Sequence, residues 1–256
     1  MSGVCVALGF VGGVIAGTLG IGGGIIMAPL LLYAPPVLGA GHLDMRVVAG
    51  LTMVQSLAAA SSGAVAHRRQ GRVQLSLVGW LGGAAGAGAL AGGILSHAVS
   101  SRTLAMLFAS LALLAVALML LPAPPAADEE HVRFSKAIGI PMMLGVGLLG
   151  GTVGQSGAFL IVPLMLRVLR VPLRATVGNT LGIVFLTALA GVAGRLATMQ
   201  IAWLPALALV AGAFPGAQLG ARLSARIRGR HLHAALSLLI AATAARMWWD
   251  ILVGRL

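Results

Sequence analysis

The chain has 256 residues, 59% of them apolar and only 9% charged, with a mean hydropathy of +1.02 and a formal net charge of +12. A soluble domain carries about 25% charged residues, so this composition excludes an ordinary soluble fold and makes the chain a polytopic membrane protein. All cations but Lys136 are arginines, concentrated in short connections beside apolar segments, so the charge is read as membrane topology and not as a nucleic-acid surface.

The opening "MSGVCVALGF" lacks the basic stretch of a signal peptide and runs into an apolar stretch at residues 3–33, interrupted by "GTLGIGGGIIMAPLL" (17–31). The lone Cys5 excludes an internal disulfide and a cysteine metal cluster. Three stretches of ordinary spanning length, about 20 residues, follow at 46–66, 74–96 and 103–121. Residues 122–136, "PAPPAADEEHVRFSK", hold Asp128, Glu129, Glu130 and three prolines, the composition of a linker. The second half opens on another interrupted stretch, 137–166, containing "GTVGQSGAFLIVPLM" (151–165), and continues with spans at 174–195, 201–221 and 232–252. The expected organisation is a first transmembrane repeat at 1–121, a cytoplasmic linker at 122–136 and a second repeat at 137–256.

The halves match in register. Gly17, Thr18, Gly20, Gly23, Pro29 and Leu30 equal Gly151, Thr152, Gly154, Gly157, Pro163 and Leu164 at one offset. Arg46, Gly50 and Thr52 meet Arg174, Gly178 and Thr180, and residues 83–92 resemble 213–222 more loosely. Such repeats are common in secondary transporters. If all eight stretches simply cross, the cations divide almost evenly between the two sides. If each interrupted stretch returns to the side it entered, twelve fall on one side, and only Arg46, Arg102, Arg195, Arg246 and Arg255 on the other. The expected fold is therefore all-α, with two inverted-topology repeats, each a glycine-broken re-entrant or discontinuous helix pair plus three spanning helices. Stretches of about 30 residues are too short for two full crossings, which need about 40, and suit half-helices.

Non-helical backbone at membrane depth is tolerated where protein or a wet cavity satisfies it, and glycine permits the turn. The helix that restarts beyond the turn presents unpaired amides and a positive dipole end, a ready anion site. The candidate binding residues are Gly22, Gly23 and Gly24 in the first phrase and Gln155, Ser156, Gly157 and Ala158 in the second. Thr52, Gln55, Asn179 and Thr180 follow in the next spans; Asn179 and Gln155 carry the most donors. No carboxylate, Lys or Arg is expected at mid-span, which disfavours a proton relay built on buried acids. His42, His67, His97, His131, His231 and His233 fall in connections or at segment ends, so no metal and no cofactor is expected. "GQSG" around Ser156 also occurs in intramembrane serine proteases, but the absence of a mid-segment His base sets a hydrolase aside, and the chain is expected not to be an enzyme.

"GTLGIGGGIIMAPLLL" with its counterpart "GTVGQSGAFLIVPLML", "RATVGNTLGIVFLTALAG" (174–191) and "GAQLGARLSARI" (216–227) resemble the sulfite exporter TauE/SafE family of membrane permeases. The resemblance implies transport of sulfite or organosulfur anions such as sulfoacetate across the bacterial cytoplasmic (inner) membrane, with Gly22–Gly24, Ser156, Gly157 and Asn179 in the matching positions. The second phrase departs from a triple glycine. The expected partners are a small anionic substrate and the lipid bilayer. Carrier and channel, monomer and homodimer stay open.

Overall fold

The computed structural model describes residues 2–19, 24–69, 74–120, 135–224 and 229–253, and among them the regular elements are all helices. In the first half they are α1 (Ser2–Leu19), α2 (Gly24–Val37), α3 (Met45–Arg69), α4 (Leu75–Ala98) and α5 (Ser101–Leu120). α6 (Lys136–Val153), α7 (Ala158–Arg167), α8 (Leu173–Ala197), α9 (Trp203–Ser224) and α10 (Gly229–Leu252) form the second. α4 contains a π-helical stretch, Val78–Gly82, and closes on a 3-10 turn, Ser96–Ala98. Stretches of α4, α5, α6, α8 and α9 are long and apolar enough to cross a membrane; Met45–Ser61 of α3 is a shorter apolar helix. Helices dominate because a chain in lipid must satisfy its backbone polar groups internally. Most of the predicted linker, and Gly20–Gly23 of the first phrase, lie outside the described residues.

Helix boundaries recur at fixed spacings. The described residues of α1 and α6, 2–19 and 136–153, stand 134 positions apart, the offset of the repeated phrases. α3 and α8 start 128 positions apart, the spacing that also separates the starts of α4 and α9. The six-residue difference arises where α7, at 10 residues against 14 in α2, ends early and leads into a shorter connection. This corrects the loose pairing of 83–92 with 213–222. Gly88 and Gly92 press on the carbonyls of Leu144 and Leu148, and Gly216 and Gly220 on those of Phe10 and Val14. Gly88 therefore matches Gly216, and Gly92 matches Gly220.

These glycine contacts also set helix directions. Ala85 and Ala89 of α4 meet Gly147 and Gly151 of α6, while Gly82 and Gly93 meet Ile183 and Gly191 of α8, so α4, α6 and α8 run parallel. α1 runs parallel to α9 through Val6 on Gly212, Gly13 on Ala213 and Val14 on Gly220. α3 opposes α8, with Met53 on Gly191 and Gly50 on the Gln200 carbonyl. α4, α6 and α8 thus begin at one end of the bundle and α1, α3 and α9 at the other. Small residues permit this approach: a Cβ on Gly147 would stand 1.9 Å from the Ala85 oxygen.

Both interrupted stretches double back. Gly12 touches the Met27 side chain, fifteen residues on, where a straight helix would separate them by about 22 Å. Gly157 likewise sits on Val146. The first arms, however, are not half-length: 18 residues of α1 or α6 extend about 27 Å, and only the second arms are short. The fully buried apolar core, including Met27, Leu31, Leu51, Leu104, Phe108, Met143, Ile161 and Met165, surrounds those second arms.

Candidate functional site

The second turn is held by backbone geometry. Gly154 ends α6 in the left-handed conformation (φ 79°), so that its N–H donates to Gly151 O (3.3 Å) and the Gln155 N–H to Gly150 O (2.7 Å). This two-bond closure terminates a helix where only glycine avoids a Cβ clash. Gly157, also left-handed (φ 73°), starts α7, and its carbonyl accepts from Leu160 and Ile161 at 2.9 Å. From α3, the Thr52 hydroxyl lies 2.8 Å from Gly154 O and 2.9 Å from Val48 O, so it can donate across to the turn or back to its own helix.

The two broken stretches meet there. Gly24, the first residue of α2, lies under the Gln155 side chain: a Cβ would stand 2.2 Å from Gln155 Oε1 and 3.1 Å from Ser56 Oγ. Gln55 and Ser56 lie one turn beyond Thr52, on the same side of α3. Gln55 Oε1, Ser56 Oγ and Gln155 Nε2 are buried with no hydrogen-bond partner among the described residues. Each buried orphan costs about 1–3 kcal/mol, and two of the three, Ser56 Oγ and Gln155 Nε2, belong to side chains packed at Gly24.

The other predicted residues take different places. Ser156 and Ala158 are buried beside Gln155 and Gly157. Asn179 is fully buried, but its Oδ1 accepts from the Gln74 N–H and its Nδ2 donates to Ala175 O, both at 2.7 Å, tying α8 to the start of α4. Thr180 Oγ1 donates to Thr176 O at 2.7 Å. Gly22 and Gly23 lie outside the described residues. Among the described residues no group of three His, Cys, Asp or Glu could hold a metal.

Two residues at this junction were not singled out from the sequence. Ser56 has no motif of its own; its signal is its spacing of four from Thr52, which shares a helix face. Arg195, counted only as a topological charge at the end of the expected span 174–195, lies in the last turn of α8, with its side chain fully buried. Its Nη2 donates to Gly151 O (3.0 Å) and Thr152 O (2.8 Å), the last carbonyls of α6, and its Nη1 to Gln200 Oε1 (3.0 Å). Gln200 is held in turn by Gly93 O and the Ser96 hydroxyl.

Discontinuous helices inside a bundle of apolar spans are common among secondary transporters. Residues 5–247 match the family model described as sulfite exporter TauE/SafE. The chain belongs to that family, and is a multi-pass membrane transporter. It is similar to the probable membrane transporter protein YunE of Bacillus subtilis (strain 168), at 25% identity over 88% of this chain and 89% of the relative. It also resembles a probable membrane transporter protein of Xylella fastidiosa (strain 9a5c), 28% identical over 96% of this chain and 94% of the relative. The probable membrane transporter protein YdhB of Bacillus subtilis (strain 168) is 26% identical over 84% of this chain and 87% of the relative. No solved structure gives a significant match.

Proposed function

We propose that this TauE/SafE protein carries a small sulfur-containing oxyanion, sulfite or an organosulfonate such as sulfoacetate, out across the bacterial cytoplasmic membrane by alternating access. The observation that carries this reading is the pair of unpartnered polar atoms on Ser56 and Gln155 at the opening of α2, with the orphaned Gln55 Oε1 next to Ser56 in the chain. The first turns of α2 and α7 add unpaired amides and positive dipole ends, and neutral donors suit a cargo that must also leave. Gly22, Gly23, Ser156, Gly157, Ala158, Thr52, Asn179 and Thr180 complete the proposed lining, with Asn179 and Thr180 as supports that keep α8 beside it.

The inverted arrangement of the halves is supported by helix directions: α1, α3 and α9 begin at one end of the bundle, and α6, α8 and α4, respectively their counterparts, at the other. A hairpin that returns contributes no net crossing at any depth, so three further spans leave each half odd and inverted. The cation-poor end uses its arginines as helix caps. Arg46 donates to Val99 O (2.7 Å) beyond α4, and Arg102 to Ile251 O (3.1 Å) in α10. The cation-rich end is then cytoplasmic, and the membrane potential drives an anion outward.

The test is counterflow of labelled sulfite and sulfoacetate in proteoliposomes. Saturable exchange that falls about tenfold or more in Gln155→Ala and Ser56→Ala, with both variants folded, is expected from loss of positioned ligands. Wild-type exchange in both variants, or no anion exchange by the wild type, would overturn the reading. A channel would give flux without counterflow.

A further inference from the structure

A broken helix pair brings two opposite helix ends to the same depth. The start of α7 is positive and favours an anion, whereas the end of α6, five positions earlier in the chain, is negative and repels one. Left alone the two largely cancel, and the turn has little preference for either sign of charge. Arg195 alters that balance. It donates to Gly151 O and Thr152 O, carbonyls of the last turn of α6, and Gly151 O is also the acceptor that closes the turn through Gly154 N–H. The guanidinium is fully buried, and its Nε has no partner among the described residues. Among the described residues no carboxylate pairs with it; the side-chain partner is the neutral Gln200.

A helix end carries about half an elementary charge, so one guanidinium over-compensates the end of α6. We propose that Arg195 is the charge-selectivity residue of the transport site: it cancels the negative end of α6, leaves the α6–α7 turn with net positive potential, and so makes the junction at Gln155 prefer anions. Arg195 acts through α6 and is a positioning residue, not a ligand. The inference rests on the reading of that junction as an anion site, and it deepens it by naming what sets the sign of the cargo's charge. The position is also economical of hydration, since the guanidinium is more weakly hydrated than an ammonium and its fork suits two carbonyls.

The experiment measures thermal stabilisation of the purified protein by sulfite, sulfate, thiosulfate, thiocyanate and sulfoacetate, for wild type, Arg195→Lys, Arg195→Gln and Gln200→Glu. Arg195→Lys keeps the charge and loses the fork; it is expected to bind the preferred anion within about threefold of wild type, while Arg195→Gln weakens it by about ten- to thirty-fold, the upper range for a charge at a helix end. Gln200→Glu gives up the Nε2 bond to Gly93 O but keeps an acceptor for Arg195 and neutralises it, and is expected to weaken the anion comparably even if Arg195→Gln does not fold. If Arg195 were only a structural latch, Arg195→Lys and Arg195→Gln would both lower the melting temperature while anion affinity stayed unchanged, and Gln200→Glu would leave affinity intact; either affinity result overturns the inference alone. Wild-type binding of an anion other than sulfite or sulfoacetate, lost in Gln200→Glu, would overturn the proposed cargo and leave the inference standing. Binding of no anion by the wild type would overturn both.

Discussion

The Gln155 side-chain amide rests on the α-carbon of Gly24, so the turn of one half and the restarting helix of the other share one contact. A methyl group at position 24 would stand 2.2 Å from Gln155 Oε1, closer than any non-bonded pair tolerates, and must displace the amide or α2. Gly24→Ala should therefore lower sulfite exchange about tenfold or more, since misplacing a polar group by an ångström is enough for such losses. In a Gln155→Ala background the methyl keeps only the 3.1 Å approach to Ser56 Oγ, which a hydroxyl rotation relieves, and Gly24→Ala should add little. Exchange assays on the four proteins of this double-mutant cycle check the coupling; additive losses would mean that the two turns act separately.

Thr52 ties α3 to the second turn through Gly154 O. Thr52→Val keeps the shape and removes the donor, leaving a buried carbonyl with one partner fewer, and should destabilise the protein by about 1 kcal/mol. Thr52→Ser keeps the hydroxyl and should stay within a few tenths of wild type. Thermal unfolding in detergent, with both variants measured alongside the wild type, checks the difference.

Gly154 and Gly157 both hold positive φ, but their surroundings differ. An alanine at 157 carries the left-handed penalty, about 1–2 kcal/mol, and its methyl would meet Val146 Cγ1 at 3.0 Å. At 154 the methyl would instead meet backbone, with Ala49 O at 2.2 Å, which no rotamer can relieve. Gly154→Ala should thus cost more than Gly157→Ala, and Val146→Ala should recover part of the second loss and none of the first. Melting temperatures of the two single and two double variants decide this.

What could be read in the sequence follows from length scales. Spans of about 20 apolar residues bounded by charge or proline leave an unambiguous trace, and the expected stretches 46–66, 74–96 and 103–121 fall within or nearly coincide with α3, α4 and α5. Hydropathy stops at a charge, however: Arg195 closed the expected span 174–195 as a mere topological charge, because nothing in its neighbourhood shows that α6 ends beside it. Asn179 was singled out for its donors, and only tertiary structure reveals that Gln74 N–H and Ala175 O engage it. The loose match of 83–92 with 213–222 was misjudged by two positions because glycine and alanine recur there so often that local identity does not fix register; contacts with Leu148 and Val14 do. The length of 30 residues also concealed an unequal division, with a long first arm and a short second one.

The proposed inverted arrangement makes a topological prediction that needs no transport. Cys5 is buried, and replacing it with alanine provides a background in which single cysteines can be placed at will. The connections 38–44 and 198–202 lie at the end where α3 and α9 begin, and Gln74 and the connection 168–172 at the end where α4 and α8 begin. Cysteines at Gly39 and Met199, both at exposed turns with positive φ, should react with a membrane-impermeant maleimide in intact cells. Cysteines at Gln74 and Val168, exposed at the opposite end, should react only after the membrane is opened. Gly39 and Arg167 flank the ends of the second arms, α2 and α7, in the two halves, and labelling at Gly39 and Val168 from the same side would mean that the hairpins return to one face and the halves are parallel. That outcome would place both turns on one side of the bilayer and remove the shared junction on which anion transport is argued.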